Sequence, residues 1–339
     1  MYYNNRDVRL EEVPAPKIGP GELLVKVIAG GICGTDVLEW YRLKKAPRVL
    51  GHEITGEIAE VGNGVKGYKV GDRVFVSHHV PCNTCHWCLT GHHTACETLH
   101  TTNYFPGGFA EYIRVPKINV EHGVFLLPGE ISFEEGTFIE PLACVVRGQR
   151  LAEIKKGQSV LILGSGISGL LHLLLARVKG ARPVITTDIN EYRLKIAQKL
   201  GADAVMHAGE DIPGNLRKIN DNRLADVVIV CTGAFSAFKQ ALQSAERGGT
   251  ILFFAATSPD VELPVPVNKF WRNEMKLMTS YANSPSDAAE AIELIRSKSI
   301  PVRKMITHRL NLKDTGRGFQ LVAEARKCVK VIVEPYKRF

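Results

Sequence analysis

The rhythm of apolar and polar residues changes near residue 155. Before that point, short apolar runs are cut by turn residues. Val8-Arg9-Leu10 and Leu23-Leu24-Val25-Lys26-Val27 are separated by Pro14, Pro16, Gly19, Pro20 and Gly21, which predicts strands with tight connections. Residues 70–76 read as a turn and a strand, and 107–115 as a glycine-led strand. Together they predict an antiparallel β domain that ends at Pro128, followed by helix over 132–150. Beyond 155 the runs are continuous. Ser159-Val160-Leu161-Ile162-Leu163 fits a strand covered on both faces, and an apolar helix runs from Leu170 to Lys179. Further strands are expected at 184–187, 204–206, 226–230, 250–255 and 275–281, with helices at 211–219 and 235–246. Six strands with helical crossovers predict an α/β fold with a doubly wound parallel sheet of order 3-2-1-4-5-6. The tail reads as an amphipathic helix (287–298), a strand (306–310), a helix (314–325) and a strand (328–333).

Composition narrows the class. With 339 residues and 45% hydrophobic content, the chain can build two cores. It has no apolar run of membrane-spanning length. Met1-Tyr2-Tyr3-Asn4-Asn5-Arg6 lacks a signal-peptide apolar region, so a cytoplasmic location is expected. The net charge of +8 is scattered, with small clusters at Lys44-Lys45 and Arg303-Lys304, a pattern of solubility rather than nucleic-acid binding. Eight cysteines with four at metal-ligand spacing suggest reduced thiols rather than disulfides.

Three constellations carry chemistry. Cys82-x2-Cys85-x2-Cys88-x7-Cys96 can wrap one tetrahedral ion, and a closed tetrathiolate site is structural. A zinc ribbon that reads nucleic acid is the competing idea, but this lobe lacks a basic-aromatic pattern. Its histidines (78, 79, 86, 92, 93 and 100) read as surface residues. Next, His52-Glu53 alone is an ordinary buried histidine beside an acid, and Cys33 alone is a small buried residue. Joined with Glu140, they offer one thiolate, one imidazole and one or two carboxylates, a set suited to zinc with an open position. Finally, Gly164-Ser165-Gly166-Ile167-Ser168-Gly169 follows a strand and opens a helix, and the next strand ends in Asp188. That is the context of a dinucleotide site, with the pyrophosphate at the helix N-terminus. Asp188 can accept hydrogen bonds from ribose hydroxyls and would repel a 2′-phosphate, which favours NAD over NADP; as a bland alternative it caps the next helix. Arg193 either neutralises a phosphate or is a solvated helix residue.

The stretch Gly51-His52-Glu53-Ile54-Thr55-Gly56 through Val65, in its glycine spacing as well as its His-Glu pair, resembles the signature of zinc-containing medium-chain dehydrogenases. The resemblance runs from Val13-Pro14 to Val333. It implies a GroES-like β-rich catalytic domain over 1–146 and 283–339, and a Rossmann domain over 147–282. It implies two zinc ions per chain: a structural one on Cys82, Cys85, Cys88 and Cys96, and a catalytic one on Cys33, His52 and Glu140, with Glu53 exchanging in and out. Thr35 would hydrogen-bond the substrate alcohol and take its proton. Asp36 would steady His52, unless it is only a helix cap. NAD would meet Gly164, Gly166, Ile167, Gly169, Asp188 and Arg193, then Cys231 and Thr232 at the adenosine, the backbone of Ala255 and Ala256 at the carboxamide, and Tyr281.

Two departures stand out. Leu38 replaces the histidine that ends the proton relay in many members; His78 or His79 is a substitute that the sequence does not position. Ser280 replaces an arginine common in sorbitol-type members. The implied reaction is reversible oxidation of a polyol, sugar alcohol or secondary alcohol by NAD. The polyol lean comes from Glu140 and Glu53. Rival readings are a threonine 3-dehydrogenase, a non-enzymatic NAD-binding sensor and a nucleic-acid binder. A homo-oligomer is also implied, with residues 275–281 paired across a dimer and tetramers common among bacterial members.

Overall fold

The computed structural model describes residues 1–337. The chain forms two compact units, Met1–Ala143 together with the chain from Ala282 onward, and Cys144–Tyr281. No helix among the described residues is long and apolar enough to cross a membrane.

The first unit is built on a seven-stranded sheet. Along its main path the order is Ile306–Leu310, Lys330–Val333, Leu23–Gly31, Glu53–Val61, Arg73–Val76 and Val124–Leu126, and Tyr112–Val115 also pairs with Leu23–Gly31. Alternation decides which way each strand faces. Leu23, Val25 and Val27 are buried, and they share a core with Ile54, Ile58, Val74 and Ile113. A second cluster joins Tyr2, Ile32 and Leu50 to Phe319, Val331 and Val333 of the tail. One feature departs from a purely antiparallel domain. Ile306–Leu310 and Lys330–Val333 are parallel, which requires a crossover, and the helix Thr315–Glu324 lies between them in the chain.

Register in this sheet assembles the chemistry. Gly31 pairs with Glu53, and Ile332 pairs with Gly31 from the other side. Cys33, two residues beyond Gly31, is therefore carried to His52 and Glu53. A side chain at position 31 would overlap Glu53 Oε2 and the end of Lys330, so the close approach of three strands needs glycine there.

In the second unit all six strands are parallel. Their order is Ala204–His207, Val184–Asp188, Val160–Leu163, Ala225–Val230, Ala245–Phe253 and Lys276–Thr279, the 3-2-1-4-5-6 sequence expected from the apolar runs. The central strands are buried on both faces, and Leu161, Ile185, Val228 and Ile251 anchor the core. The fifth strand starts at Ala245 rather than 250, because pairing with Ala225 begins ahead of the polar Glu246-Arg247-Gly248-Gly249 segment that masks it.

Leu161 is fully buried in that core. Leu161→Ala should cost about 2–5 kcal/mol through lost transfer energy and the cavity left behind. The check is the denaturant midpoint followed by circular dichroism.

Candidate active site

Cys33, His52 and Glu53 offer ligand atoms that all lie within 4.8 Å of one another. Cys33 caps the short helical turn Gly34–Val37, and its sulfur accepts from the Thr35 backbone N–H at 3.5 Å and the Thr35 hydroxyl at 3.3 Å.

Asp36 is fully buried beneath this turn. Its Oδ2 accepts from the Cys33 backbone N–H at 3.1 Å, while Oδ1 lies 3.3 Å from His52 Nδ1 and 3.3 Å from Arg42 Nη2. Asp36 is thus both a cap and the group that holds His52. Burial alone would raise the Asp36 pKa, but His52 and Arg42 outweigh it and lower it. For His52, burial acts downward, but the Asp36 carboxylate and the Cys33 sulfur outweigh it and hold the pKa well above 6.5. A Nδ1–H directed at Asp36 leaves Nε2 as the ligating atom. Arg42 escaped the sequence reading. Besides Asp36, it donates to the Thr35 carbonyl at 2.9 Å and the Thr35 hydroxyl at 3.1 Å. No motif marks it, since its role comes from one short helix folding back over another.

Glu53 is fully buried and paired with Lys330, whose ammonium also donates to the Ile32 carbonyl and lies over the Phe138 ring. Glu53 Oε1 is buried and, among the described residues, has no hydrogen-bond partner. An orphaned carboxylate oxygen in a residue grouped with a cysteine sulfur and an imidazole fits a cation with three ligand types. Glu140, in the first turn of the helix Ile139–Leu151, is buried but does not belong to the 4.8 Å cluster. The sequence expectation, with Glu140 firm and Glu53 exchanging, is the reverse of this geometry. Strand register delivers Glu53 with His52, whereas Glu140 arrives on a separate helix. Tyr104 also went unremarked. It is buried, and its hydroxyl donates to the Gly51 carbonyl at 3.3 Å. Burial, then the charges of Glu140, Asp36 and Glu53, raise its pKa well above 10.0.

His78 and His79 are not the surface residues expected. The His78 ring stands 4.9 Å from that of His52 and 3.8 Å from that of His79. Asn119 fixes this segment by donating to the carbonyls of Ser77 and His78 at 3.0 and 2.9 Å. Burial lowers the pKa of both, and His79 falls to about 4.

The four-cysteine lobe gathers its sulfurs. Sγ separations are 4.0 Å for Cys82–Cys88, 3.6 Å for Cys85–Cys88 and 3.6 Å for Cys96–Cys82. Tetrahedral metal–sulfur bonds of about 2.3 Å place sulfurs about 3.8 Å apart, so the set fits one zinc. Donors from Thr84 and Cys85 lower the Cys82 pKa to about 5. Burial, then the Cys85 thiol, raise that of Cys88 to about 12.

In the second unit, Gly164 leaves the first strand with φ of 103°, and a side chain on Gly169 would overlap the Gly164 carbonyl. Gly166 caps the helix Ile167–Val178. Asp188 ends its strand with both carboxylate oxygens engaged, Oδ2 by the Ser165 N–H at 2.8 Å and Oδ1 by the Asn190 N–H at 2.9 Å. The Arg193 guanidinium lies 3.8 Å from where a Cβ on Gly166 would stand, so it reaches back over the glycine loop. Cys231 and Thr232 follow the fourth strand and adjoin Gly164. Ala255 donates its N–H to Val230, and the Ala256 carbonyl packs over Gly233. These segments share the carboxyl edge of the sheet where the strand order reverses, the usual seat of a dinucleotide. Burial raises the Cys231 pKa. Tyr281 lies two residues past the sixth strand and is half exposed.

Comparison with known proteins supplies the context for these sites. The Alcohol dehydrogenase GroES-like domain matches residues 19–125, and the Zinc-binding dehydrogenase domain matches 168–297. Sorbitol dehydrogenase of Bacillus subtilis is 32% identical, covering 99% of this chain and 96% of that protein. L-threonine 3-dehydrogenase of a Chelativorans species is 33% identical, covering 94% of each. Among solved structures, a zinc-binding dehydrogenase from Sinorhizobium meliloti bound to NADP is 30% identical with a TM-score of 0.87, covering 98% of this chain and 97% of that one.

Cys85→Ser should reduce bound zinc from about two ions per chain to about one, as read by elemental analysis, and lower the melting temperature. Lys330→Met should strand the Glu53 carboxylate and cost the zinc-free protein about 3–5 kcal/mol, measured by chemical denaturation. Since His52 holds a proton above 6.5 that a metal must displace, zinc affinity at the Cys33–His52 site should rise with pH. A gain of up to about tenfold per pH unit is expected from about pH 6 to about pH 8, by titration against a competing chelator.

Proposed function

Because the chain belongs to the zinc-containing medium-chain dehydrogenases, in their polyol branch, and is a zinc-dependent alcohol or polyol oxidoreductase with a nicotinamide cofactor, we propose that it oxidises a polyol or secondary alcohol reversibly with NAD. The observation that carries this reading is the convergence of Cys33, His52 and Glu53 within 4.8 Å in a chain that also bears the glycine loop and Asp188. Cys33 and His52 would hold the catalytic zinc, with Glu53 as third ligand and Glu140 as the alternate carboxylate. Bound zinc supplies Lewis acidity toward the substrate oxygen, and a bound nicotinamide takes the hydride.

The chain's own residues orient and deprotonate. The Thr35 hydroxyl, 3.3 Å from the Cys33 sulfur, is the group to receive the alcohol proton. Arg42 donates to that hydroxyl and eases negative charge on it; a guanidinium cannot itself take the proton. Asp36 keeps His52 in one tautomer. With Leu38 in place of a relay histidine, the proton would pass from Thr35 to solvent or to a cofactor hydroxyl.

NAD rather than NADP is supported by Asp188, a buried carboxylate at the end of the second strand that opposes a 2′-phosphate. Arg193 beside Gly166 and the NADP-bound Sinorhizobium meliloti relative lean the other way, although Arg193 also fits a pyrophosphate contact. A second reading, oxidation of L-threonine, draws on Cys33-Gly34-Thr35-Asp36 and on the Chelativorans relative. Pairing of two copies through the edge strand Lys276–Thr279 is supported by the exposed Trp271, Val267 and Leu277 beside it.

A panel of sorbitol, 2,3-butanediol, L-threonine and ethanol, followed by NADH absorbance, should give turnover with a polyol or diol that chelator abolishes. Turnover that survives Cys33→Ala together with zinc removal would falsify the reading. Asp188→Ser should lower kcat/KM for NAD by about 10- to 100-fold and narrow the preference over NADP.

A further inference from the structure

A polar pair lies deep in the Rossmann unit. Gln149 and His172 are both fully buried, the first near the end of the helix Ile139–Leu151 and the second within Ile167–Val178. The Gln149 amide Nε2 donates to the His172 carbonyl at 2.8 Å and stands 3.3 Å from His172 Nδ1. A carbonyl can only accept, so the amide must turn its nitrogen to it; that nitrogen has only protons to offer, so Nδ1 accepts and the imidazole proton sits on Nε2. Burial, then the charge of Lys179, lowers the His172 pKa to about 3, which keeps the ring neutral. Nε2 and Gln149 Oε1 meet no hydrogen-bond partner among the described residues. Apolar side chains would fill this space without leaving polar atoms unpaired, so packing alone does not account for the pair. What the amide adds is direction, since it fixes the imidazole at one angle.

The fixed ring braces Phe254. The two rings are nearly perpendicular, at 88°, with centroids 4.5 Å apart, the edge-to-face arrangement that aromatic quadrupoles favour. Phe254 also packs against Gly148, where a Cβ would come within 3.2 Å of the Phe254 Cδ2 and 3.4 Å of its Cε2. Glycine weakens a helix interior, and here it lets the ring approach the helix backbone. Phe254 follows the strand Ala245–Phe253, and both it and Ala255 donate their backbone N–H to the Val230 carbonyl, at 3.1 and 2.9 Å. Val230 ends the fourth strand. A dinucleotide laid across this edge puts its pyrophosphate at residues 164–169, after the first strand, and its adenosine ribose at Asp188, on the second. Its other half then lies over the ends of the fourth and fifth strands, where Ala255 and Ala256 are.

Resting on the dehydrogenase reading, we propose that Gly148, Gln149 and His172 are positioning residues for the nicotinamide: they hold the Phe254 ring, and Phe254 holds the backbone of Ala255 and Ala256 where the nicotinamide half docks. All three are buried and act without touching the cofactor. The effect is local. Loss of the brace loosens the nicotinamide half and leaves the adenosine half, on residues 164–169 and Asp188, as it was.

The test is calorimetry on the zinc-loaded enzyme with NADH and with ADP-ribose, which keeps the adenosine and pyrophosphate but lacks the nicotinamide. If NADPH binds more tightly, it and its 2′-phosphorylated ADP-ribose take their places. His172→Leu should weaken NADH by about tenfold and ADP-ribose by less than about twofold. Gly148→Ala sets a methyl group against Phe254 at a position where alanine favours the helix; it guards against misfolding of the first variant and should shift the two ligands in the same unequal way. Phe254→Ala should match His172→Leu. The double variant should lose less than about twofold beyond Phe254→Ala alone, because both changes act through one side chain. Equal weakening of NADH and ADP-ribose marks general damage and overturns the inference. So does NADH binding that is unchanged in the folded variants of His172 and Gly148, or full additivity with Phe254→Ala. If the unaltered enzyme binds neither nicotinamide cofactor, the dehydrogenase reading itself fails and takes this inference with it.

Discussion

The first unit turns on the ion pair between Glu53 and Lys330, two charges with no exposure to solvent. Charges withdrawn that far are tolerable only together and with their remaining valences satisfied. Lys330 satisfies its own through the Ile32 carbonyl and the Phe138 ring. Glu53 leaves Oε1 without a hydrogen-bond partner among the described residues, and it offers a carboxylate oxygen within 4.8 Å of the Cys33 and His52 ligand atoms. The pair also explains the glycine at position 31, since the two side chains occupy the space a Cβ would take. A single electrostatic requirement therefore sets three strands in register, and that register puts Cys33 beside His52.

Around this pair the charges are arranged in alternating sign. Asp36 lies between His52 and Arg42, so one carboxylate orients the imidazole and anchors the guanidinium that steadies Thr35.

Much of this was legible in the residue string. The parallel sheet was readable because its strands are continuous apolar runs of strand length that alternate with helices, and their order is that of the doubly wound dinucleotide fold whose glycine loop the chain carries. The cysteine lobe was readable because four ligands lie close in sequence. The cluster at Cys33 and His52 was readable as a set of residue types, but not as a geometry. Ranking Glu53 against Glu140 depended on strand register, which no local pattern encodes. Arg42, Tyr104 and Lys330 carry no motif, and matter only because distant segments meet. His78 and His79 look like two polar residues in a loop; burial against His52, held by Asn119, makes them part of the site.

The ion pair has a further consequence in time. Lys330 follows Glu53 by 277 positions, so the ribosome must complete the whole intervening Rossmann unit before the glutamate can meet its counter-charge. During synthesis the strands of the first unit emerge early but stay electrostatically incomplete, while the intervening Rossmann unit has every residue it needs. The cluster of Cys33, His52 and Glu53 is thus completed only after the Rossmann unit has left the exit tunnel.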